Sequence, residues 1–413
     1  MKLQNNFLIE RFIITVNDEA YAFGLNQVLY VRYLEDLESA SILMEVQLTD
    51  TASGILSKLT GLESVFIEIF DGARAKIGGF FTIYNIQDRV NDGVTSKATL
   101  MLCTPDFINN AAMKISRKFG DGGGKKIHEI VVNDILQNIM GTVVPVDKEN
   151  IEPTLNKYSF VSPFWCPFTI ISWLAGKSIA ARGSSSSASA GYAFFQNRRG
   201  YNFKSYDSFT KDPVTKRIIV NNLVGELKED DELDVLSVKK MRVVSNVDVL
   251  KGLNIGSYAS NVMTVDLYDM KFTETKFDIN KYYEDVPRLN KSPKPLYFKD
   301  FSKDTAPTRI MSKIVDTALF SKGTHTEGIT KQLSQSALRE KLFYNKIVEV
   351  EFIGYFDLTV GDVVQLDVYK GREQEPDAQN SGKYVISRVD RTFFSSNDTM
   401  GTKLTLTTDS PGA

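Results

Sequence analysis

The stretch Val348–Thr407 constrains the fold most strongly, because apolar and polar residues alternate along four successive segments of it. In the first segment Val348, Val350 and Phe352 fall at every second position, which suits a strand with one face in a core and one in water. The other three segments are Asp362–Val368, Lys383–Asp390 and Lys403–Thr407. Turn-forming residues separate the segments. The stretch therefore predicts an antiparallel β-meander.

The same plan can be read between Val65 and Leu102, where a strand, a glycine pair, a second strand, a turn and a third strand follow one another. Two sets of residues share their relative positions: Gly79, Phe81, Ile83 and Ile86, and Gly382, Tyr384, Ile386 and Val389. Leu100 and Leu102 correspond to Leu404 and Leu406 one residue out of step. Antiparallel meanders resemble one another in general, so the match leaves a duplication and a coincidence of pattern open. The shared glycine and aromatic residue favour duplication.

Length and composition describe an ordinary globular protein with more than one domain. A chain of 413 residues is longer than one hydrophobic core usually serves, so we expect about two to four domains. With 42% hydrophobic and 24% charged residues, a sizeable core is available. The formal net charge of -2 gives no bulk attraction to nucleic acid or to anionic membranes. We therefore expect any contact with DNA to be passive.

The cysteines and the N-terminal residues give no sign of secretion. Cys103 and Cys166 are the only cysteines, and one possible pair is a poor basis for a disulfide framework, so we expect buried free thiols. The first residues run into a strand-like segment, Phe7–Val16, without the features of a signal peptide. No apolar run has the length that spans a bilayer. These features predict synthesis in the cytoplasm and no membrane partner.

The middle of the chain changes character after Gly120–Gly124, where the apolar period lengthens from 2 to about 3.6 residues. One apolar stripe predicts a helix that ends at Gly141 and comprises Ile127, Ile130, Val131, Ile135 and Ile139. A second helix is predicted after Pro167, and a flexible serine-rich loop at Gly183–Ala190. A hairpin then pairs Tyr192–Phe195 with Tyr201–Phe203. This region is predicted to be an α+β domain.

The sequence predicts no catalytic, cofactor-binding or metal site. His128 and His325 are the only histidines and lie far apart, so no zinc site or nucleophile–histidine pair is supported locally. The glycine-rich Gly120–Lys126 lacks the spacing of a phosphate loop. The acidic run Glu229–Glu232 lacks the glycine and the terminal glutamate of a calcium loop.

One enzymatic reading stays open at this point. Carboxylate pairs for glycoside hydrolysis come together only in the fold, and many acidic residues are available. Trp165 and Trp173 could stack on a sugar, although packing in cores and interfaces is the commoner use of tryptophan.

The closing stretch carries the most specific motif. It reads Gly354-x3-Leu358-x2-Gly361-x2-Val364-x-Leu366, followed by the run Gly382–Val389. With a helix predicted before it at Leu333–Tyr344, this stretch resembles the closing barrel of the central baseplate hub proteins of contractile-tailed phages. That family is related to the base of the type VI secretion spike protein VgrG and to phage late control proteins. Leu43–Leu102 is similar to the family's first barrel, and the two helices and the hairpin follow the order of its middle domain.

Three features depart from the family pattern. Members often carry a histidine at the end of the third closing strand, where this chain has Arg391. The loop Lys370–Ser381 and the linker Tyr282–Pro307 are long. These departures bear on the identity of the partners more than on an architectural role.

The pattern and the resemblance together imply an α+β, mainly β fold, with two similar antiparallel β-barrel (tube-type) domains and an inserted α+β domain. The expected domains are 1–105 for the first barrel, 106–238 for the middle domain, 239–281 with 345–409 for the second barrel, and 282–344 for a linker and helix contributing to the middle domain. The strands Met241–Val244 and Asn261–Tyr268 would then join the closing strands.

The resemblance implies a structural, non-enzymatic baseplate hub in the virion of a contractile-tailed phage. Two alike barrels in each of three chains make six similar units. Such a homotrimeric pseudo-sixfold ring would adapt a threefold central spike to a sixfold tail tube and leave a lumen for DNA. The implied partners are the spike protein, the tail tube or tube-initiator protein, baseplate wedge proteins and double-stranded DNA as passing cargo, with no cofactor or metal.

The residues implied to set the barrels are Gly79, Phe81, Ile83, Gly354, Leu358, Gly361, Gly382, Tyr384 and Ile386. Two other classes of function stay open: a carbohydrate-active tail enzyme that acts on the host cell wall, and a hexameric tail tube subunit.

Overall fold

The computed structural model describes most of the chain. The described residues are 7–51, 54–71, 75–120, 123–181, 191–220, 235–238, 240–245, 250, 253–254, 256, 259–266, 270–278, 287–290, 309–315, 339–369, 377–395 and 399–410. Several sequence predictions lie outside them: the serine-rich loop Gly183–Ala190, the acidic run Glu229–Glu232, His325, most of the linker Tyr282–Pro307 and the first part of the helix Leu333–Tyr344.

Strands dominate the described residues. In the first half of the chain they are β1 (Phe7–Val16), β2 (Glu19–Ala22), β3 (Val28–Asp36), β4 (Leu43–Asp50), β5 (Ser64–Asp71), β6 (Lys76–Asn91), β7 (Ser96–Cys103), β8 (Lys118–Phe119), β9 (Lys125–Lys126), β10 (Lys157–Tyr158), β11 (Phe160–Val161), β12 (Tyr192–Asn197) and β13 (Gly200–Ser205). In the second half they are β14 (Val214–Val220), β15 (Val235–Val238), β16 (Lys240–Ser245), β17 (Ala259–Asp266), β18 (Lys271–Asp278), β19 (Arg309–Val315), β20 (Lys346–Ile353), β21 (Val363–Val368), β22 (Gly382–Phe394) and β23 (Thr399–Thr408).

The helices are short. They are α1 (Ile55–Lys58), α2 (Pro105–Ala112), α3 (Ile127–Glu129) and α4 (Pro167–Ala175), with 3-10 turns at Leu25–Gln27, Lys148–Asn150 and Ser208–Thr210. Helix α3 runs directly into a π-helical segment, Ile130–Ile139, and residues 339–343 are also helical. No helix in this described part of the chain has the length and apolar composition that a bilayer crossing requires.

One large 14-stranded sheet organises the molecule. From one edge its order is β2-β1-β5-β6-β7-β4-β3-β22, and two branches continue from β22. One side of β22 has two partners. Its first part, Gly382–Val385, pairs with β21, and its second part, Arg388–Phe394, pairs with β3. Strand β21 continues into β14 and β15, and the other side of β22 continues into β23, β20 and β16. The long strand β22 therefore joins the two ends of the chain in one sheet.

The sheet is mixed rather than purely antiparallel. Strand β14 runs parallel both to β21 and to β15, which differs from the antiparallel arrangement expected from the sequence. Parallel neighbours need a long connection, and β14 lies more than a hundred residues before β21 in the sequence. The closing meander itself, β20 to β23, forms with the antiparallel pairs predicted from its alternation.

The strands before the closing stretch separate into two sheets. Strand β16 pairs with β20, so Met241–Val244 does join the closing strands. Strand β17 instead hydrogen-bonds β18 on one side and β19 on the other, in a separate three-stranded sheet. Both edges of β17 are thereby used, which leaves none for the closing strands.

In the residues that the structure describes, three hydrophobic cores lie under these sheets. The first is built by the strands from β1 to β7 and also takes in Phe356, Phe393 and Met400 from the closing stretch. Phe393 meets the ring of Phe7 at 5.2 Å and that of Phe356 at 5.8 Å, both edge-on. The second core lies under the closing strands. The third is the predicted α+β region, where the apolar stripe of the first helix packs on α4 and the β12–β13 hairpin.

We predict that Phe393 and Phe394, neighbours on opposite faces of β22, differ sharply in their effect on stability. Phe393 is 1% exposed and Phe394 44% exposed. Phe393→Ala should lower the free energy of unfolding by about 3–5 kcal/mol because it leaves a cavity in the first core. Phe394→Ala should cost about 1 kcal/mol or less. Chemical denaturation measures both, and equal effects would contradict the core assignment.

Candidate assembly site at the junction of the two strand groups

Two groups of six strands repeat each other in register. The first strand group is β1-β5-β6-β7-β4-β3 and the second strand group is β14-β21-β22-β23-β20-β16. Four pairs of the first group are Val65 with Phe81, Ile83 with Leu102, Ile86 with Leu100 and Met44 with Leu102. Their counterparts are Val364 with Tyr384, Ile386 with Leu406, Val389 with Leu404 and Val348 with Leu406.

The repeat extends to an irregularity. The pairing register shifts between Ile83 and Asn85 in the first group, and between Ile386 and Arg388 in the second. A β-bulge at matching positions is a specific local feature, so coincidence of alternating strands does not explain it. The leucines that are one residue out of step in sequence occupy equivalent pairing positions. Only the outermost strands differ in direction, since β1 is antiparallel to β5 and β14 is parallel to β21.

The six motif residues on β6 and β22 lie at the centre of this repeat. Gly79 and Gly382 both have a φ of 144°, a backbone conformation that glycine adopts easily. The side chains that follow them point into the cores and are buried: Phe81, Ile83, Tyr384 and Ile386. A Cβ atom on Gly382 would lie 2.7 Å from Oδ1 of Asn290, whereas one on Gly79 would meet nothing within 4 Å.

The other three motif residues lie in the 354–362 connection, the segment between β20 and β21. Gly354 and Gly361 have φ values of 81° and 94°, and their N–H groups donate to the carbonyl oxygens of Met400 and Ile386. Leu358 is fully buried in the second core. A Cβ atom on Gly361 would lie 3.0 Å from Cζ of Phe195. The 354–362 connection thus packs directly against the β12–β13 hairpin.

The carboxylate of Glu35, on the core side of β3, holds three segments together. Its Oε1 accepts hydrogen bonds from the Tyr33 hydroxyl at 2.7 Å and from the Arg198 N–H at 3.2 Å. Its Oε2 accepts from the Val360 N–H at 3.0 Å and from the Thr359 hydroxyl. Glu35 is fully buried, and a buried charge is stable only when its oxygens are satisfied in this way. We call this contact the junction.

A buried cation, Arg391 on β22, faces the same junction. Its Nη2 donates to the carbonyl oxygens of Phe356 and Leu358 in the 354–362 connection. Its guanidinium lies 5.7 Å from the Tyr33 ring centroid and 5.6 Å from that of Phe356. Burial lowers the pKa of Arg391, and the charge of Glu35 opposes this effect. The residue that departs from the family pattern is therefore a structural centre of this chain.

The turn of the β12–β13 hairpin holds the 354–362 connection from the other side. Arg199 donates to both oxygens of Asp362, at 2.8 and 3.1 Å. Asn197 donates through Nδ2 to the Val360 carbonyl at 2.9 Å, and Arg198 through Nη2 to the Asp357 carbonyl at 3.0 Å. Charge-assisted bidentate contacts of this kind fix geometry as well as contribute energy. The middle region is thereby fastened to both strand groups.

A groove of about 980 Å³ lies beside this contact. It is lined by residues that include Asp147, Lys148, Glu149, Arg199, Lys204, Asp212 and Asp362. Burial raises the pKa of Asp212, against the effect of Lys204, and also that of Asp362, against the effect of Arg199. A glycosidase needs two carboxylates at its scissile bond, whereas the Asp362 carboxylate is already bound by Arg199 and by the Thr359 N–H. Asp362 is therefore held by structural contacts.

The outer face of the sheet carries a ladder of alternating charges across both groups. Its members, in strand order from β4 to β20, are Glu45, Arg32, Asp390, Lys403 and Glu349. Arg32 lies 4.0 Å from Glu45, and its Nη2 lies 2.5 Å from Asp390. Lys403 Nζ lies 3.0 Å from Glu349. Within the ladder, Arg32 and Lys403 each lie within ion-pair distance of a carboxylate on a neighbouring strand.

The two cysteines and His128, which the sequence singled out, lie away from the junction. Burial raises the pKa of the Cys103 thiol to about 12, and Cys166 is partly exposed. His128 is half-buried, and its Nδ1 accepts a hydrogen bond from the Thr154 N–H. Among the described residues no three histidine, cysteine or acidic side chains come together as a metal-binding group.

Sequence reasoning missed the junction because it missed β3. Residues Val28–Asp36 were not among the predicted strands, although Val31, Tyr33 and Glu35 alternate on the core side. An acidic residue in the apolar phase of an alternating strand was the available signal. Arg391 stands in the same phase between Val389 and Phe393.

Comparison with known proteins gives structural matches only. No family model and no curated protein matches the sequence. The 43 kDa tail protein of prophage MuSo2 from Shewanella oneidensis matches with a TM-score of 0.55 and 10% identity, over 97% of this chain and 98% of that chain. The tail protein from Neisseria meningitidis MC58 matches with a TM-score of 0.54 and 9% identity, over 98% and 97%.

A third match is a chain of the lidded Francisella PdpA–VgrG complex, with a TM-score of 0.49 and 11% identity over 100% of this chain and 54% of that chain. The chain has the fold of the two tail proteins along nearly its whole length. The predicted resemblance to phage tail proteins is confirmed at the level of the fold.

We predict that Glu35 and Arg391 stabilise the protein through each other. Glu35→Gln should lower the free energy of unfolding by about 3 kcal/mol, because it leaves the buried Arg391 charge uncompensated. Arg391→Met should also destabilise, and the double variant should recover at least about 1 kcal/mol relative to the sum of the two single effects.

Glu10→Gln, at an exposed position of β1, is the matched control and should change stability by no more than about 0.5 kcal/mol. Denaturant titration of the wild type, the two single variants and the double variant measures the cycle, and the control is titrated beside them. Strictly additive effects would show that the two charges act independently.

Proposed function

We propose that this protein is a structural hub of a contractile phage tail baseplate. Three chains would form a ring that joins a threefold central spike to the sixfold tail tube. The observation that carries the proposal is the repeat of the two strand groups down to the position of a β-bulge. Two equivalent groups per chain give six equivalent groups in a trimer, so one ring can present both symmetries.

The two groups would each act as a barrel-like tube domain, with the middle region inserted between them. The nine motif residues fit this role, since their glycines adopt positive φ values that favour glycine and their side chains fill the two cores. The full-length likeness to two tail proteins agrees with a place in the virion. We assign no catalytic activity to the hub.

The contact between the groups within one chain suggests how the ring closes. Strand β3, at the end of the first group, pairs with the second half of β22. By the repeat, β16 is the equivalent of β3, and β6 is the equivalent of β22. The pseudo-sixfold operation therefore places β16 of one chain against the second half of β6 in the next chain.

Both of these elements are suited to such a contact. Strand β16 is the last described strand of its branch, and β6 beyond Ile83 pairs with β7 but with no other described strand. Apolar side chains are exposed on each: Val90 is 59% exposed on β6, and Val243 and Val244 are 40% and 47% exposed on β16. Unpaired edges with exposed apolar residues are normally covered by another chain.

The charge ladder would line the lumen through which double-stranded DNA passes. Tight DNA binding requires lysine and arginine side chains that are available to neutralise phosphates. On this face Arg32 and Lys403 are already balanced by carboxylates. A self-neutralised surface lets DNA slide, in agreement with the net charge of -2.

The ring contact predicts a specific cross-link. In the register of β3 and β22, Leu34 lies opposite Asp390; the equivalents in the next contact are Ser245 on β16 and Gln87 on β6. In a Cys166→Ser background, the pair Gln87→Cys with Ser245→Cys should oxidise to a covalent species of three chains on a non-reducing gel.

In the control pair, the first cysteine stands at Leu8 and not at Gln87. Leu8 lies on β1 and is 55% exposed. Leu8→Cys with Ser245→Cys should remain as single chains. Equal cross-linking in both pairs, or none in the first, would contradict the proposed ring. A covalent species of six chains would instead favour a tube subunit.

A further inference from the structure

The middle region carries a cluster of aromatic rings, some buried and some partly exposed, that the hub function does not use. Trp173 lies 5.6 Å from Trp165, 5.0 Å from Phe160 and 5.9 Å from Tyr158, and Phe160 stacks on Phe119 at 5.2 Å, as ring centroid distances. We call this cluster, with its immediate surroundings, the aromatic patch. Phe160, Trp165 and Trp173 remain partly exposed to solvent.

Cations border the aromatic patch. Lys177 Nζ lies 4.6 Å from the Trp173 ring centroid, and the Arg117 guanidinium lies 5.4 Å from that of Phe119. Lys118 pairs with Val161 in the short β8–β11 sheet, and Lys157 lies on the adjoining β10; both side chains are exposed.

The charge around the patch has one sign in the sequence segments that build it. No acidic residue occurs from 107 to 120 or from 153 to 206, although the whole chain has slightly more acidic than basic residues. The cation–aromatic contact leaves the positive charge of Arg117 available to a ligand, because the ring balances it only in part, and the exposed Lys118 and Lys157 add to it. The patch therefore attracts an anionic partner.

Two apolar side chains at the edge of the aromatic patch are largely exposed to solvent. Val161 is 65% exposed and Phe164 is 68% exposed. Phe164 also has a φ of 57°, a left-handed conformation that is uncommon for a phenylalanine and costs energy. The flanking backbone fixes it there: Ser162 N–H donates to the Arg117 carbonyl at 2.9 Å, and Ile115 N–H donates to the Trp165 carbonyl at 2.8 Å.

We infer that the aromatic patch is a docking surface for an acidic protein segment that inserts apolar or aromatic side chains. The basic border selects the charge of the partner. The exposed aliphatic Val161 favours a protein over a sugar, because a sugar stacks on flat rings and gains little from an aliphatic side chain. This inference does not depend on the trimeric ring.

The chain offers a direct reporter, since its only two tryptophans, Trp165 and Trp173, both lie in the aromatic patch. Tryptophan emission of the intact protein should therefore respond to occupancy of this surface alone. The probe is a random copolymer of glutamate and tyrosine, with selective tryptophan excitation. Polyglutamate tests whether negative charge alone, without aromatic side chains, is enough for binding. A lysine–tyrosine copolymer tests binding of a polymer with the opposite charge.

We expect a saturable change in emission with the glutamate–tyrosine copolymer, a weaker affinity for polyglutamate, and no binding of the lysine–tyrosine copolymer. Added salt should weaken the binding. Reversing the border with Arg117→Glu and Lys118→Glu should lower the affinity roughly tenfold or more. Phe164→Ser should reduce the preference for the copolymer over polyglutamate.

A matched charge reversal away from the patch, Lys341→Glu with Lys383→Glu, should change the affinity by less than roughly twofold. Circular dichroism confirms that each variant is folded. The inference is overturned if no probe gives a saturable change, if polyglutamate binds as tightly as the copolymer, or if the distant reversal weakens binding as much as the border reversal. Tighter binding of oligogalacturonate than of the copolymer would identify a site for an anionic glycan instead.

Discussion

The buried carboxylate of Glu35 is the contact on which the arrangement of this chain depends. It lies on a strand of the first group, and it binds the backbone of the 354–362 connection in the second group and the Arg198 N–H of the middle region. A carboxylate taken out of water is costly unless it is fully hydrogen-bonded. Its partners must therefore come to it in one geometry, and Arg391 adds a second buried charge that fixes the same segment. Two side chains therefore help to fix the placement of three separate parts of the chain.

The fixed position of the two strand groups relative to each other matters for assembly. Two strand groups that merely looked alike could sit in any relation to each other. Here β3 continues the sheet directly into β22, so the relation between the groups is set by backbone hydrogen bonds as well as by the junction. A repeat with a fixed rotation between its halves can be continued by further copies, and closed rings are the outcome when the rotation fits. The paired charges of the ladder keep the outer face hydrated.

The sequence predicted the closing meander, the first-domain strands, the helical stripe and the hairpin, because each has a local period that a strand or helix requires. It did not predict β3, the parallel strand β14 or the separate sheet of β17, which depend on partners far away in sequence. Glycines, alternation and the family resemblance singled out the nine motif residues. The charges that join the groups were not predicted, since an isolated acidic residue in a strand is usually interpreted as solvent-facing. Arg391 was noticed only as a departure from a family pattern, and the structure supplies its role.

The most direct test of the hub is the solution mass of the purified full chain, measured by light scattering together with negative-stain images of the same sample. If the protein is a trimeric hub, we expect three chains in an open ring that shows six similar lobes. A hexamer would contradict it in favour of a tube subunit. A protein that stays a single chain even when mixed with a spike protein would contradict the proposed ring altogether.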